Sequence, residues 1–110
     1  MDIIYKNKKV QRQCDNPSVA VHGEKRAKKL KQRLSHLRAA RTLESVGRLP
    51  PARCHELTGD LAGLLSVDLD HPYRLLFEPA NEPIPRKEDG GLDWLQVTAV
   101  RIIGIQDTHE

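Results

Sequence analysis

The sequence predicts an α+β domain in which an N-terminal strand and helices pack on one face of a small twisted antiparallel sheet. Three observations predict it. A basic segment over 22–45 carries apolar residues at helical spacing. Two alternating segments, 63–70 and 73–78, flank a His-Pro pair. The most apolar run of the chain, 94–105, comes last among the elements. At 110 residues the chain forms one domain, residues 1–110, with one modest core.

Taken in order, Ile3-Ile4-Tyr5 predicts a first strand over 2–5. A basic stretch from Lys6 to Cys14 starts a short helix that Asn16-Pro17 ends. From His22 to Ser45 the residues Ala27, Leu30, Leu34 and Leu37 recur at three- and four-residue steps, which predicts one long helix with an apolar stripe. Gly47 is its stop signal, and Pro50-Pro51 forbids continuation. A short strand follows over 52–57, then a turn at Thr58-Gly59-Asp60. Leu65, Val67 and Leu69 alternate with Ser66, Asp68 and Asp70, the pattern of a half-buried antiparallel strand. His71-Pro72 turns the chain into a second alternating strand, with Tyr73, Leu75 and Phe77 on one face and Arg74, Leu76 and Glu78 on the other. The stretch 79–93, with Pro79, Pro83, Pro85 and Gly90-Gly91, is a long surface loop. The final strand is expected over 94–105.

Charge divides the chain. Residues 1–55 carry 14 Lys or Arg and 4 Asp or Glu; residues 56–110 carry 4 and 11, so +10 meets −7 within the overall +3. A basic half of this kind suits a polyanion or an acidic partner, or is simply a solvated helix face. Cys14 and Cys54 lack the spacing of a zinc site or disulfide framework and are expected as reduced thiols. No apolar run is long enough to span a membrane, and the start lacks the pattern of a signal peptide, so a cytoplasmic location is expected.

Four residues fall where a side chain reaches an open surface from a strand end: His55, Arg74, Asp107 and His109. Two histidines can divide base and acid roles near neutral pH, and an arginine can hold charge on a phosphate oxygen. Cleavage of RNA through its own 2′-hydroxyl needs that set, with no metal and no cofactor. The structural alternative for Arg74 is an ion pair with Glu78 or a cross-strand aspartate, and for His71 a turn role.

The run His55-Glu56-Leu57-Thr58-Gly59 through Leu64–Leu69 to Tyr73-Arg74-Leu75 resembles the strand–turn–strand centre of RelE/ParE-superfamily toxins, nearest the HigB-type "killer protein" branch. Asp107-Thr108-His109 is similar to the Asp-Tyr-His ending of that family. The resemblance implies a RelE-like fold and the toxin of a type II toxin–antitoxin pair. That toxin would be a ribosome-dependent, metal-independent mRNA endonuclease that inhibits translation. Its catalytic positions would be His55, Arg74, Asp107 and His109. Its RNA contacts would come from Lys25, Arg26, Lys28, Lys29, Arg33 and Tyr73. Its partners would be the ribosome and mRNA and a cognate helix-turn-helix antitoxin, through which alone it would meet operator DNA. Thr58 and Thr108 depart from the family's usual lysine and tyrosine. They keep open a non-catalytic alternative, either a gyrase inhibitor of the ParE kind or a degenerate toxin that only binds its antitoxin.

Overall fold

The computed structural model describes residues 1–107. The strands are β1 (Asp2–Tyr5), β2 (His55–Glu56), β3 (Leu65–Asp68), β4 (Tyr73–Pro79) and β5 (Ala99–Asp107), and the helices are α1 (Lys8–Asp15), α2 (Pro17–Ala20), α3 (Glu24–Ala39) and α4 (Leu43–Gly47). They form one five-stranded sheet in the order β1-β5-β4-β3-β2. The α+β class is as expected. The sheet, however, is mixed: β2, β3, β4 and β5 pair antiparallel, while β1 runs parallel to β5, with Ile3 opposite Val100. The four later strands follow one another, so short connections set their directions. β1 enters the far edge before four helices, and no hairpin constrains it.

Residues from the helices and one sheet face share a single core. Leu30, Leu34 and Leu37 of α3 and Val10 and Cys14 of α1 join Leu65, Val67, Leu75, Phe77, Val100 and Ile102. Burying each of the large aliphatic side chains stabilises the fold by about 1.5–3 kcal/mol, which is why the stripe on α3 fixes that helix to the sheet. The other sheet face carries His55, Ser66, Asp68, Arg74, Leu76 and Glu78, because residues opposite one another in register share a face.

The expected long helix is two helices. α3 stops at Ala39, and the Met1 ammonium donates to the carbonyls of Leu37 and Arg38 at its end. α4 then starts where Leu43 N–H donates to Val97 C=O and Glu44 N–H to Trp94 C=O. Those two acceptors explain why the last strand begins at Ala99 rather than Trp94. The Asp93 side chain accepts from Leu95 N–H, and Gln96 N–H donates to Asp93 C=O, so 94–97 turns and caps α4 instead of pairing. β2 is also shorter than expected, because Arg53 adopts a left-handed backbone, φ 48°, just before it.

The 79–93 loop is built rather than loose. The Asn81 amide oxygen accepts from the N–H groups of Thr98 and Ala99, and its nitrogen donates to the Thr98 hydroxyl. A bridge between Arg86 and Leu92 closes a small hairpin. Trp94 donates its indole N–H to Glu56 and lies against Gly47, where an added Cβ would stand 2.8 Å from the ring. Among the described residues no helix is long and apolar enough to cross a membrane.

Arg33 is the buried polar anchor of this fold. It is 3% exposed, with Nε donating to Asp68 C=O at 2.6 Å and Nη2 to Pro51 C=O at 2.8 Å. Arg33→Ala leaves both carbonyls without that donor and is expected to cost about 2–4 kcal/mol in urea unfolding. Lys28→Ala on the exposed face is expected to stay within about 0.5 kcal/mol. Gly47→Ala, which pushes a methyl into Trp94, is expected to cost about 1–3 kcal/mol by the same measurement.

Candidate nucleic-acid phosphate site

Local chain geometry sets His55. The left-handed turn at Arg53 aims its carbonyl at the ring, and His55 Nδ1 lies 2.9 Å from that oxygen. A carbonyl only accepts, so Nδ1 carries the proton. On the other side of the ring, Nε2 lies 3.3 Å from Arg74 Nη1. A guanidinium only donates, so Nε2 presents its lone pair. The two contacts together select the neutral Nδ1–H tautomer, the form in which Nε2 can take a proton.

Strand register sets Arg74. It lies opposite Asp68 on β3 and opposite Gln106 on β5. Its Nε is 3.5 Å from Asp68 Oδ1, and Arg53 Nε is 3.5 Å from Asp68 Oδ2. Charge attraction operates at that distance, but a hydrogen bond does not. Accordingly Asp68 Oδ1 is buried with no hydrogen-bond partner among the described residues. The Arg53 side chain is 71% exposed, so its pair contributes at most about 1 kcal/mol. That is too little to hold the side chain in one place.

Arg53, Asp68, Leu69, His71, Pro72, Tyr73 and Arg74 line a hollow of about 280 Å³. A larger one, about 620 Å³, lies between α2 and α3 and is lined by Val21, His22, Lys28 and Lys31 among others. It shares no residue with the first. The smaller hollow is the one that Arg74 lines.

Among the described residues, the structure brings the expected His55 and Arg74 together. Asp107 closes β5 at the same end of the sheet, opposite Tyr73, one residue out of phase with Arg74. His109 and Thr108 lie outside the described residues. Thr58 is exposed, just before a 3₁₀ turn at Gly59–Leu61.

The expected RNA contacts divide. Lys25 and Lys28 are exposed and Lys29 is half-buried on α3. Arg33 is not available, for it is buried in the fold as described above. Arg26 is also committed inward. Its Nε and Nη2 each donate to one Asp70 carboxylate oxygen at 3.1 Å, and Nη1 donates to His22 C=O. Its guanidinium carbon lies 3.4 Å from the centre of the Tyr73 ring. Tyr73, expected as a stacking surface for a base, faces the helices and has this ring face covered. Both arginines point inward because positions 26 and 33 flank the apolar stripe, whereas 25, 28 and 29 do not.

Five lining residues were not among the expected site residues: the polar Arg53, Asp68 and His71, and the apolar Leu69 and Pro72. The alternation of 63–70 placed Asp68 on the open face, and cross-strand pairing with Arg74 was one of the readings open for that arginine. Arg53 carries no local signal, because only the fold shows its backbone turn. Cysteine chemistry does not contribute. Burial pushes the thiol of Cys14 up to about 11 and that of Cys54 to about 12, so neither is a thiolate at neutral pH.

No protein-family model matches the chain, and no curated protein matches it either.

The left-handed residue gives a clean stability test. Arg53→Gly and Arg53→Ala lose the same charge, but only glycine adopts φ 48° without strain. Arg53→Gly is expected to be about 1 kcal/mol more stable than Arg53→Ala in thermal or urea unfolding.

Proposed function

We propose that the protein is the toxin of a type II toxin–antitoxin pair, acting in the cytoplasm as an mRNA endonuclease that inhibits translation. The observation that carries the reading is the contact between His55 Nε2 and Arg74 Nη1 at 3.3 Å. It sets a neutral histidine beside an arginine that also lines the hollow of about 280 Å³. The likeness of this stretch to RelE/ParE-superfamily toxins supplies the substrate class. The family likeness also implies the ribosome and a helix-turn-helix antitoxin as partners.

In this reading Arg74 turns from His55 to a non-bridging phosphate oxygen as RNA enters. His55 Nε2 then takes the proton of the 2′-hydroxyl. The 2′-oxygen bonds to phosphorus, the bond from phosphorus to the 5′-oxygen breaks, and a general acid returns a proton to that oxygen. The products are a 2′,3′-cyclic phosphate and a 5′-hydroxyl. His109 is assigned the acid role by the resemblance. Arg74 offsets the charge that grows on the phosphate oxygens. Lys25, Lys28 and Lys29 supply salt-dependent attraction to RNA.

A second reading is favoured by one observation. Arg74 lies beside Asp68 and Arg26 is tied to Asp70, which lowers the positive charge offered to a substrate. On that reading the domain binds a protein target, or its antitoxin, without cleaving RNA.

Induced expression without an antitoxin separates the two. The first reading predicts growth arrest with discrete new 5′ ends in translated mRNA. It predicts loss of both in His55→Ala and Arg74→Ala, with cleavage down about 100-fold or more. Arg74→Lys, which keeps charge but not the planar fork, is expected to recover only part. Arrest with intact mRNA, unchanged in both alanine variants, contradicts it.

A further inference from the structure

We propose that Asp68 is a built-in counter-anion, neutralising in the free protein the Arg53 and Arg74 guanidinium groups that turn to a phosphate group on binding. Arg53 thereby becomes a second phosphate contact. The inference deepens the reading above, on which it rests for the choice of a phosphodiester as ligand.

The geometry is that of an open pairing rather than a finished ion pair. One carboxylate faces two arginines, one oxygen to each, both at 3.5 Å. Neither contact is a hydrogen bond, and Asp68 Oδ1 has no hydrogen-bond partner among the described residues. Contrast Arg26 and Asp70, where both oxygens are bonded at 3.1 Å and the guanidinium is stacked as well. The chain thus makes a closed pair where it needs an anchor and leaves an open one in the hollow. A tetrahedral phosphate reaches further into the hollow than the short aspartate side chain. It can therefore take short, charge-assisted bonds from both arginines at once.

The backbone of Asp68 is fixed. Its N–H donates to Ala52 C=O at 2.8 Å, and its C=O accepts from buried Arg33. When phosphate enters, the arginines move and the carboxylate stays. It then stands close to the bound phosphate and weakens binding, which lets product depart. Among the described residues the hollow is lined by two arginines against this one carboxylate, an excess of a single positive charge on that pair. That excess suits one phosphate of a passing strand better than a multiply phosphorylated nucleotide.

The test is a titration of the whole chain with inorganic phosphate at low ionic strength, followed by backbone and arginine side-chain NMR shifts. Asp68→Asn is expected to bind phosphate about fivefold more tightly than the wild type. That gain is expected to vanish when Arg53→Gln is added. An unchanged or weaker affinity in Asp68→Asn overturns the proposal. So does the same gain in the Arg53→Gln background, because Asp68 would then act only as a distant charge. Should Asp68→Asn fail to fold, the exposed Arg53→Gln alone still decides: phosphate affinity down about threefold supports the role, and unchanged affinity refutes it. Phosphate affinity is read without any cleavage. Absence of mRNA cleavage therefore defeats the ribonuclease reading and leaves this result standing.

Discussion

Asp68 is held through its backbone and turns its carboxylate to two arginines. Its backbone N–H reaches the carbonyl of Ala52, its carbonyl receives the buried guanidinium of Arg33, and its carboxylate lies between Arg53 and Arg74. The first two contacts tie β3 to the chain entering β2 and to α3. The third fixes where the site's charge collects. Arg33 also reaches the carbonyl of Pro51, so one side chain joins α3, the turn before β2 and the end of β3. Without it the left-handed turn at Arg53 would lose its neighbour's anchor, and with that turn goes the carbonyl that orients His55. Burial lowers the pKa of Arg33, and the charge of Asp68 works against that shift.

The positive charge of the N-terminal half therefore has two different uses. Arginines at 26 and 33 work inward, where a planar fork can bind carboxylate or carbonyl groups in fixed directions. Lysines at 25 and 28 point outward, where a hydrated point charge attracts a polyanion at long range. A net of +10 over residues 1–55 thus overstates the charge available to a ligand.

Much of this was legible in the sequence. The apolar stripe on α3 and the alternation of β3 and β4 are periodic over several residues. They gave the α+β class, the helix-covered face and the opposite face that carries Arg74, although Ser66 and Leu76 on that face are buried. Where one residue's environment decides, the sequence was silent. Positions 26 and 33 flank the stripe and 25 and 28 do not, but the partners that hold the two arginines, Asp70, Asp68 and Pro51, are brought to them only by the fold. The end of α3 and the start of β5 were misplaced for a shared reason. Both depend on Trp94–Val97 capping α4, a contact between segments some 50 residues apart. The direction of β1 likewise depends on which sheet edge was left open. His55 and Arg74 were found because each sits at a strand end on the open face. Their contact needed the register of three strands.

In the proposed mechanism His55 is a neutral base whose Nε2 is covered by Arg74 until a phosphate draws the arginine away. Nitrogen-15 NMR of the His55 ring tests it most directly, in the free protein and with a non-cleavable 2′-deoxy dinucleotide. The account predicts a proton on Nδ1 and an unprotonated Nε2 in the free protein. The Nε2 and Arg74 side-chain signals should then shift together as the dinucleotide is added. A proton found on Nε2 with Nδ1 bare, or shifts confined to the lysines of α3, would contradict it.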